Sequence, residues 1–132
     1  MPVGAELVGR RFDAVVVCVA DTDRVRSFAD AVGLPGSVPP TFLPELALRG
    51  AIRVLDKPES GLAGRFVVLR EHSFTARGPV RLGERFSVAV TVLSTRTVAG
   101  SDLVVTEQEI SGGADDVVLT STLTLTVSAV RR

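Results

Sequence analysis

Apolar and polar positions along this chain change period from one segment to the next, and each change marks a new element. Asp13 to Ala20 is dense in valine with little alternation, which suits a strand buried on both faces. Asp21-Thr22-Asp23 then offers cap residues, and Val25, Phe28, Ala29 and Val32 follow at i, i+3, i+4 and i+7. That spacing predicts a short amphipathic helix stopped at Gly33. Leu34 to Pro40 is a glycine- and proline-rich loop. The prolines of Val38-Pro39-Pro40-Thr41-Phe42 hold the backbone extended, because a proline disfavours the helical region for the residue before it. Thr41 is a suitable N-cap. Pro44 then falls at the third helical position, where a missing N–H costs nothing. From Phe42 to Leu55 the chain carries Phe42, Leu43, Leu46, Leu48, Ala51, Ile52, Val54 and Leu55. A segment apolar nearly all round predicts a buried helix, not one laid on a surface.

Beyond the loop Asp56 to Gly64 the period falls to two. Arg65 to His72 predicts a strand that Phe74 to Ala76 continues past a kink. Arg77-Gly78-Pro79 and Leu82-Gly83-Glu84 punctuate the next turn. Phe86, Val88, Val90 and Val92 alternate with Ser87, Ala89 and Thr91 as a half-buried strand. Leu103 to Ile110 predicts another strand, and Ser111 to Asp116 a hairpin turn. In the last strand Val117, Leu119, Leu123, Leu125 and Val127 face one way, and Val118, Thr120, Thr122, Thr124 and Thr126 the other. A strand, two helices and then long antiparallel strands make an α+β domain. One helix swallowed by an antiparallel sheet is the outline of a hotdog domain, a single one over residues 1–132. Such a sheet leaves edges and a face exposed, and joining two sheets edge to edge covers both, so a dimer is expected.

Composition narrows the classes. Net charge is zero and mean hydropathy is +0.35, which is apolar for a chain of this length. No run reaches the roughly 18 apolar residues of a membrane span. Met1-Pro2-Val3-Gly4-Ala5-Glu6 lacks the basic and apolar regions of a signal peptide. A cytoplasmic protein that hides its apolar excess in a subunit interface is expected, with no membrane partner. Basic charge is almost all arginine, Lys57 being the one lysine, and no tryptophan or tyrosine is present to stack on bases. Nucleic-acid binding by groove or stacking routes is therefore unsupported. One histidine and one cysteine make no metal cluster, and the glycines lack phosphate-loop spacing. Cys18, inside the run Val15 to Val19, reads as a buried core thiol and not a nucleophile.

At this point the residues resemble a family. Leu7-Val8-Gly9-Arg10-Arg11-Phe12, then Arg24 to Gly33, are similar to the opening of MaoC-like hotdog proteins. Val38-Pro39-Pro40-Thr41-Phe42 resembles the P-P-T-F of their N-terminal, dehydratase-like subgroup, which includes substrate-binding subunits of heterodimeric (3R)-hydroxyacyl thioester dehydratases. Glu71 to Val80 is similar to the family's E-Q-x-F-x-Y-x-x-P segment, and Arg81-Leu82-Gly83-Glu84 to its R-P-G-D turn. The resemblance covers nearly the whole chain. It implies a hotdog fold, with an antiparallel sheet wrapped around one long buried helix. It also implies an acyl thioester as ligand, carried on coenzyme A or an acyl carrier protein, and no further cofactor.

The departures from the pattern matter most. Catalytic members of the family carry an aspartate and, five residues later, a histidine in the loop before the central helix, where they handle a water and the proton at the substrate's α carbon. Here Gly33 to Pro40 is shorter and holds neither, so no side chain in it titrates. Ala76 stands at the motif's tyrosine and His72 at its glutamine. The resemblance thus implies a non-catalytic half.

Three features still offer chemistry. His72, the one histidine, adjoins Glu71, and strand neighbours point to opposite faces, so one of the two faces the helix and the other the exterior. His72 either lies at a surface or interface or reaches the thioester as a base. Glu45, at the fourth helical position, is kept ionised by the helix dipole. It either activates water, as an acidic residue does on this helix in hotdog thioesterases, or steadies the helix start and pairs with Arg49 at i+4. Backbone N–H groups at Phe42 and Leu43 are placed to hold a thioester carbonyl oxygen. Thr41, Phe42, Leu43 and Leu46 are the expected substrate-binding residues, with the acyl chain running along Phe42, Leu46 and Ile52. The leading expectation is an acyl-thioester-binding subunit of a dehydratase or hydratase system, as a homodimer or paired with a catalytic hotdog subunit. The alternative is a homodimeric thioesterase or specialised-metabolism enzyme using Glu45 or His72. A third reading is a binding module without chemistry.

Overall fold

A computed structural model of the chain describes residues 2–19, 22–31, 33, 42–61, 65–78, 85–113 and 116–131. Valine-rich and alternating segments form strands β1 (Arg11–Val19), β2 (Arg65–Ala76), β3 (Arg85–Val98), β4 (Ser101–Ser111) and β5 (Val117–Arg131). Two helices, α1 (Thr22–Ala31) and α2 (Phe42–Leu55), stand between β1 and β2. The strands make one five-stranded sheet in the order β1-β3-β4-β5-β2, antiparallel at every ladder. This is the α+β arrangement that the sequence predicts. β3 and β4 are joined by the two-residue turn Ala99-Gly100, with φ of 51° and 82°. Positive φ at both positions matches the twist of a tight hairpin. Thr41, Pro79 and Leu82-Gly83-Glu84, named above as cap and turn residues, lie outside the described residues.

The inner face of the sheet is set by strict alternation. Val88, Val90 and Val92 of β3, Val104 and Ile110 of β4, and Leu119, Leu125 and Val127 of β5 are buried against α2. Each such side chain contributes about 1.5–3 kcal/mol by leaving water. The helix meets them with its small residues: Ala47, Gly50, Ala51 and Val54 recur at i, i+3, i+4 and i+7 and are all buried. A Cβ added to Gly50 would lie 2.8 Å from Val88 Cγ1 and 3.3 Å from Val88 Cβ. The helix therefore lies as near to β3 as a backbone without a side chain allows.

Three expectations need correction. The helix is not buried all round: Arg49 and Arg53 are exposed and Glu45, Leu48 and Ile52 half-buried. The sheet covers one side of α2, and two guanidinium groups need water on the other. The kink in β2 lies at Arg70, before His72. Leu69 pairs with Leu125 and Glu71 with Thr124, which leaves Arg70 as the extra residue of a bulge. Val118 does not face outward with the threonines but is buried, because the register shifts so that Ser111 pairs with Val117 and Ile110 with Leu119.

The N-terminal segment is tied to the sheet by one buried carboxylate. Asp102 accepts a hydrogen bond from the Val3 N–H at 2.9 Å and from the Thr97 hydroxyl at 2.8 Å, with the Arg65 guanidinium at 3.5 Å. Leu7, in the short turn Ala5–Leu7, then plugs the core with no exposed surface.

Two substitutions test this packing. Gly50→Ala should lower stability by about 1 kcal/mol, because overpacking against stiff, buried Val88 outweighs a gain of about 1 kcal/mol in helix propensity. Urea denaturation reads it, and a stabilised variant would disprove the close approach. Asp102→Ala strands the Val3 N–H and the Arg65 charge, and should cost about 3 kcal/mol in the same measurement.

Candidate functional site

The bulge at Arg70 decides which residues of β2 face the helix side. Before it, Val67 and Leu69 pair with the inward residues Val127 and Leu125. After it the parity flips, so His72, Phe74 and Ala76 pair with the inward Leu123, Ser121 and Leu119. Without the extra residue, His72 and Phe74 would point outward. Glu71 instead pairs with Thr124 on the outer face, so the two neighbours are separated as the strand period requires.

The helix α2 rests mainly on β1, β3, β4 and β5. On the edge strand β2 two of the inward side chains are left bare, Leu69 at 44% and Phe74 at 47% exposed, while Val67 packs partly buried against the core. The result is an exposed apolar strip on the helix side of β2. Phe42, Leu43 and Leu46, the substrate-binding candidates of the helix start, are buried in the core, and Ile52 packs half-buried against it. Thr41 lies outside the described residues.

Beside the bare strip the inner face is polar. Thr106 and Gln108 of β4 and Ser121 of β5 are buried among the valines and leucines. Ser121 Oγ donates to Gln108 Oε1 at 2.7 Å, and Gln108 Nε2 donates to Thr106 Oγ1. Gln108 pairs directly with Ser121 and Thr106 with Leu123, whose other neighbour is His72. The chain of three is neutral and satisfied, as a buried network must be to avoid a desolvation penalty. Sequence reasoning missed it. The signal was the gap at Ser121 in the apolar stripe of the last strand, with Gln108 at inward parity on β4.

His72 stands at the rim of this block. Its Nε2 is buried and has no hydrogen-bond partner, and its ring meets that of Phe74 edge-on at 5.6 Å. Burial pushes the imidazole pKa below its ordinary 6.5, because the charged form loses hydration. The ring is therefore neutral at pH 7, able to accept a proton or a hydrogen bond. Glu45 lies elsewhere, on the strip of α2 away from the sheet. Its Oε1 accepts from Arg49 Nε at 2.8 Å, the i,i+4 pairing, which is worth about 0.3–0.5 kcal/mol at the surface. Glu45 and His72 are not brought together. Among the described residues no three of histidine, cysteine, aspartate and glutamate gather to hold a metal, and no helix is long and apolar enough to cross a membrane.

The buried imidazole has a consequence for stability. With its folded-state pKa depressed, the unfolded chain binds the proton more readily, so stability should be full above about pH 6.5 and fall as pH drops below it towards the folded pKa. Urea midpoints of the wild type and of His72→Gln across this range measure the difference. Parallel pH profiles of the two proteins would show that His72 is not the group responsible.

No family model matches the chain. A UPF0336 protein of Clavibacter michiganensis is 30% identical over 144 residues, covering 96% of this chain and 97% of that protein. A UPF0336 protein of Streptomyces avermitilis is 29% identical over 146 residues, covering 98% and 97%. Among solved structures, a chain of the C-terminally truncated HadBC (3R-hydroxyacyl-ACP dehydratase) complex from Mycobacterium tuberculosis superposes with a TM-score of 0.72 at 20% identity, over 91% of this chain and 96% of that one. The (R)-hydratase of A. caviae involved in PHA biosynthesis gives 0.65 at 15% identity, over 89% and 94%. A MaoC-like dehydratase gives 0.73 at 22%, over 95% of this chain and 43% of that one. The structural likenesses show a hotdog fold, as the five-stranded antiparallel sheet packed against α2 already indicates. The sequence relatives, aligned from end to end, show that the chain belongs to the UPF0336 family.

Proposed function

We propose that this protein is the acyl-thioester-binding subunit of a (3R)-hydroxyacyl or enoyl thioester dehydratase or hydratase, and that it works beside a hotdog partner that supplies the acid–base pair. The observation that carries this reading is the bare inner face of β2. An edge strand that exposes Leu69 and Phe74 towards the helix side is half of an apolar groove. A second sheet laid against that edge would close it. An acyl chain is the kind of ligand such a groove fits. The P-P-T-F segment supports placing the chain in the substrate-binding subgroup, and the fold likeness to hydratases and dehydratases agrees with the reaction class. Coenzyme A or an acyl carrier protein would bear the thioester, with no further cofactor.

The missing acid–base pair supports the subunit role. Residues 34–41 read Leu-Pro-Gly-Ser-Val-Pro-Pro-Thr, with nothing that titrates near neutrality. Glu45 is engaged with Arg49 on the outer strip. His72 favours the second reading, an independent thioester-processing enzyme, because it points inward with a buried, unpartnered Nε2.

Assays on crotonyl and longer enoyl thioesters separate the two. The purified chain alone should give no hydration above background, and activity should appear on adding a hotdog protein that bears the aspartate and histidine. Phe74→Glu, a charge on the groove floor, should abolish that complementation while leaving the fold intact. Robust hydration or hydrolysis by the chain alone, lost in His72→Ala, would replace the first reading with the second.

A further inference from the structure

We propose that the open edge of β2 pairs with the same edge of a second copy of this chain, in one antiparallel register centred between Arg70 and Glu71. This pairing goes beyond the acyl-thioester reading and does not rest on it. A second copy there takes the place which that reading gives to a catalytic partner, and the partner then has to displace it. β2 is an outermost strand of the sheet, so one side of its backbone has no ladder partner within the chain. Its twelve residues include no proline and no lysine to blunt that edge. Large apolar side chains are exposed along it: Leu69 and Phe74 on the helix side, Val68 on the outer side, and Phe66 at its start.

The bulge makes this edge self-complementary. Because Arg70 is the extra residue, the helix-side positions are Val67 and Leu69 before it and His72 and Phe74 after it. They are symmetric about the midpoint of Arg65–Ala76, which falls between residues 70 and 71. A second β2 turned end for end by a two-fold axis sets Phe74 opposite Val67 and His72 opposite Leu69 on the helix side. On the outer side it sets Ser73 opposite Val68. A shift of one residue would put helix-side positions against outer ones at each of these pairs. A shift of two shortens the ladder and sets Glu71 opposite Val68, or Arg70 opposite Ser73.

The charges select the same register. Arg70 and Glu71 are both exposed, and among the described residues neither has an ion-pair partner. The centred register gives two reciprocal Arg70–Glu71 pairs. Arg65 is already engaged by Asp102 at 3.5 Å, and Arg77, just past the strand, donates to Thr120 at 3.4 Å. Arg96, Glu107 and Glu109 of the outer face stand on β3 and β4, two or three strands in from this edge. Exposed ion pairs are worth about 0.2–1 kcal/mol each, so they choose the register. Burial of Leu69, Phe74 and Val68 drives the association. The bare strips of the two copies then lie on one side of a continuous sheet, and His72 of each stands beside Leu69 of the other.

Sedimentation equilibrium of the full chain, with no thioester present, tests this. A dimer is expected at about 10 μM. Arg70→Glu and Glu71→Arg each set like charges opposite one another twice. Each should weaken dimerisation by about tenfold or more, with unchanged circular dichroism. An equimolar mixture of the two variants should dimerise as tightly as the wild type, because each chain then meets its opposite charge. A wild type that is still monomeric at about 100 μM overturns the proposal. If that monomer pairs only with an added catalytic hotdog subunit, the edge belongs to that partner and the acyl-thioester reading stands without a self-pair. A dimer that neither reversal weakens, or a mixture that stays monomeric, overturns it equally.

Discussion

The approach of α2 to β3 through Gly50 is the constraint on which the rest of the architecture depends. With Val88 Cγ1 only 2.8 Å from where a Cβ would stand, the helix has no freedom to rise or slide without opening a void. Ala47, Ala51 and Val54 continue the same narrow face, so the helix lies close along its length. A helix this close covers only part of a five-stranded sheet. Its footprint takes in β1 and the three central strands, and the far edge at β2 remains outside it. The bare strip of Leu69 and Phe74 is therefore a consequence of small residues elsewhere, on α2. Larger residues at positions 47, 50 and 51 would lift the helix and change the depth of the groove before they changed its lining.

A one-residue irregularity then decides what the strip contains. Arg70, unpaired in the ladder with β5, shifts parity so that the first half of β2 contributes Val67 and Leu69 and the second half His72 and Phe74. The inward set is apolar at one end and mixed at the other, next to the polar block of Thr106, Gln108 and Ser121. A bulge at a sheet edge re-aims side chains at small cost to pairing. Its position on β2, two residues before His72, couples the fold to the candidate site directly.

Much of this was legible in the residues, and the parts that were not have a common cause. The span of α2, its proline at the third position and the inward parity of β3 follow from local rules of capping and alternation, and these hold without tertiary knowledge. The bulges at Arg70 and Val118 are properties of pairing between strands. A single strand carries little trace of them, so the facing of His72 was left open and that of Val118 was misjudged. Gln108 failed for a related reason. In Leu103-Val104-Val105-Thr106-Glu107-Gln108-Glu109-Ile110 both parities mix apolar and polar residues, and only the buried partners of β4 on either side choose between them. Phe42, Leu43 and Leu46, named for substrate binding from their place at the start of α2, have side chains buried in the core, and the exposed inward apolar residues are on β2.

Electrostatics bears on what such an inner face can do. Gln108, Ser121 and Thr106 are neutral, and burial holds His72 neutral as well. A carboxylate placed among them would face several kcal/mol of desolvation, or would take up a proton and lose its use as a base. The satisfied amide–hydroxyl chain instead offers fixed dipoles, which orient a polar group without exchanging protons with it. Proton transfer needs a group whose pKa lies near the working pH and whose charge is tolerated. Along the described strip His72 alone approaches that condition, and it does so at the rim, where Phe74 and Leu69 are still exposed. Covering that rim with a second surface would desolvate the imidazole further and lower its basicity. Closure of that face and basicity at His72 therefore oppose each other.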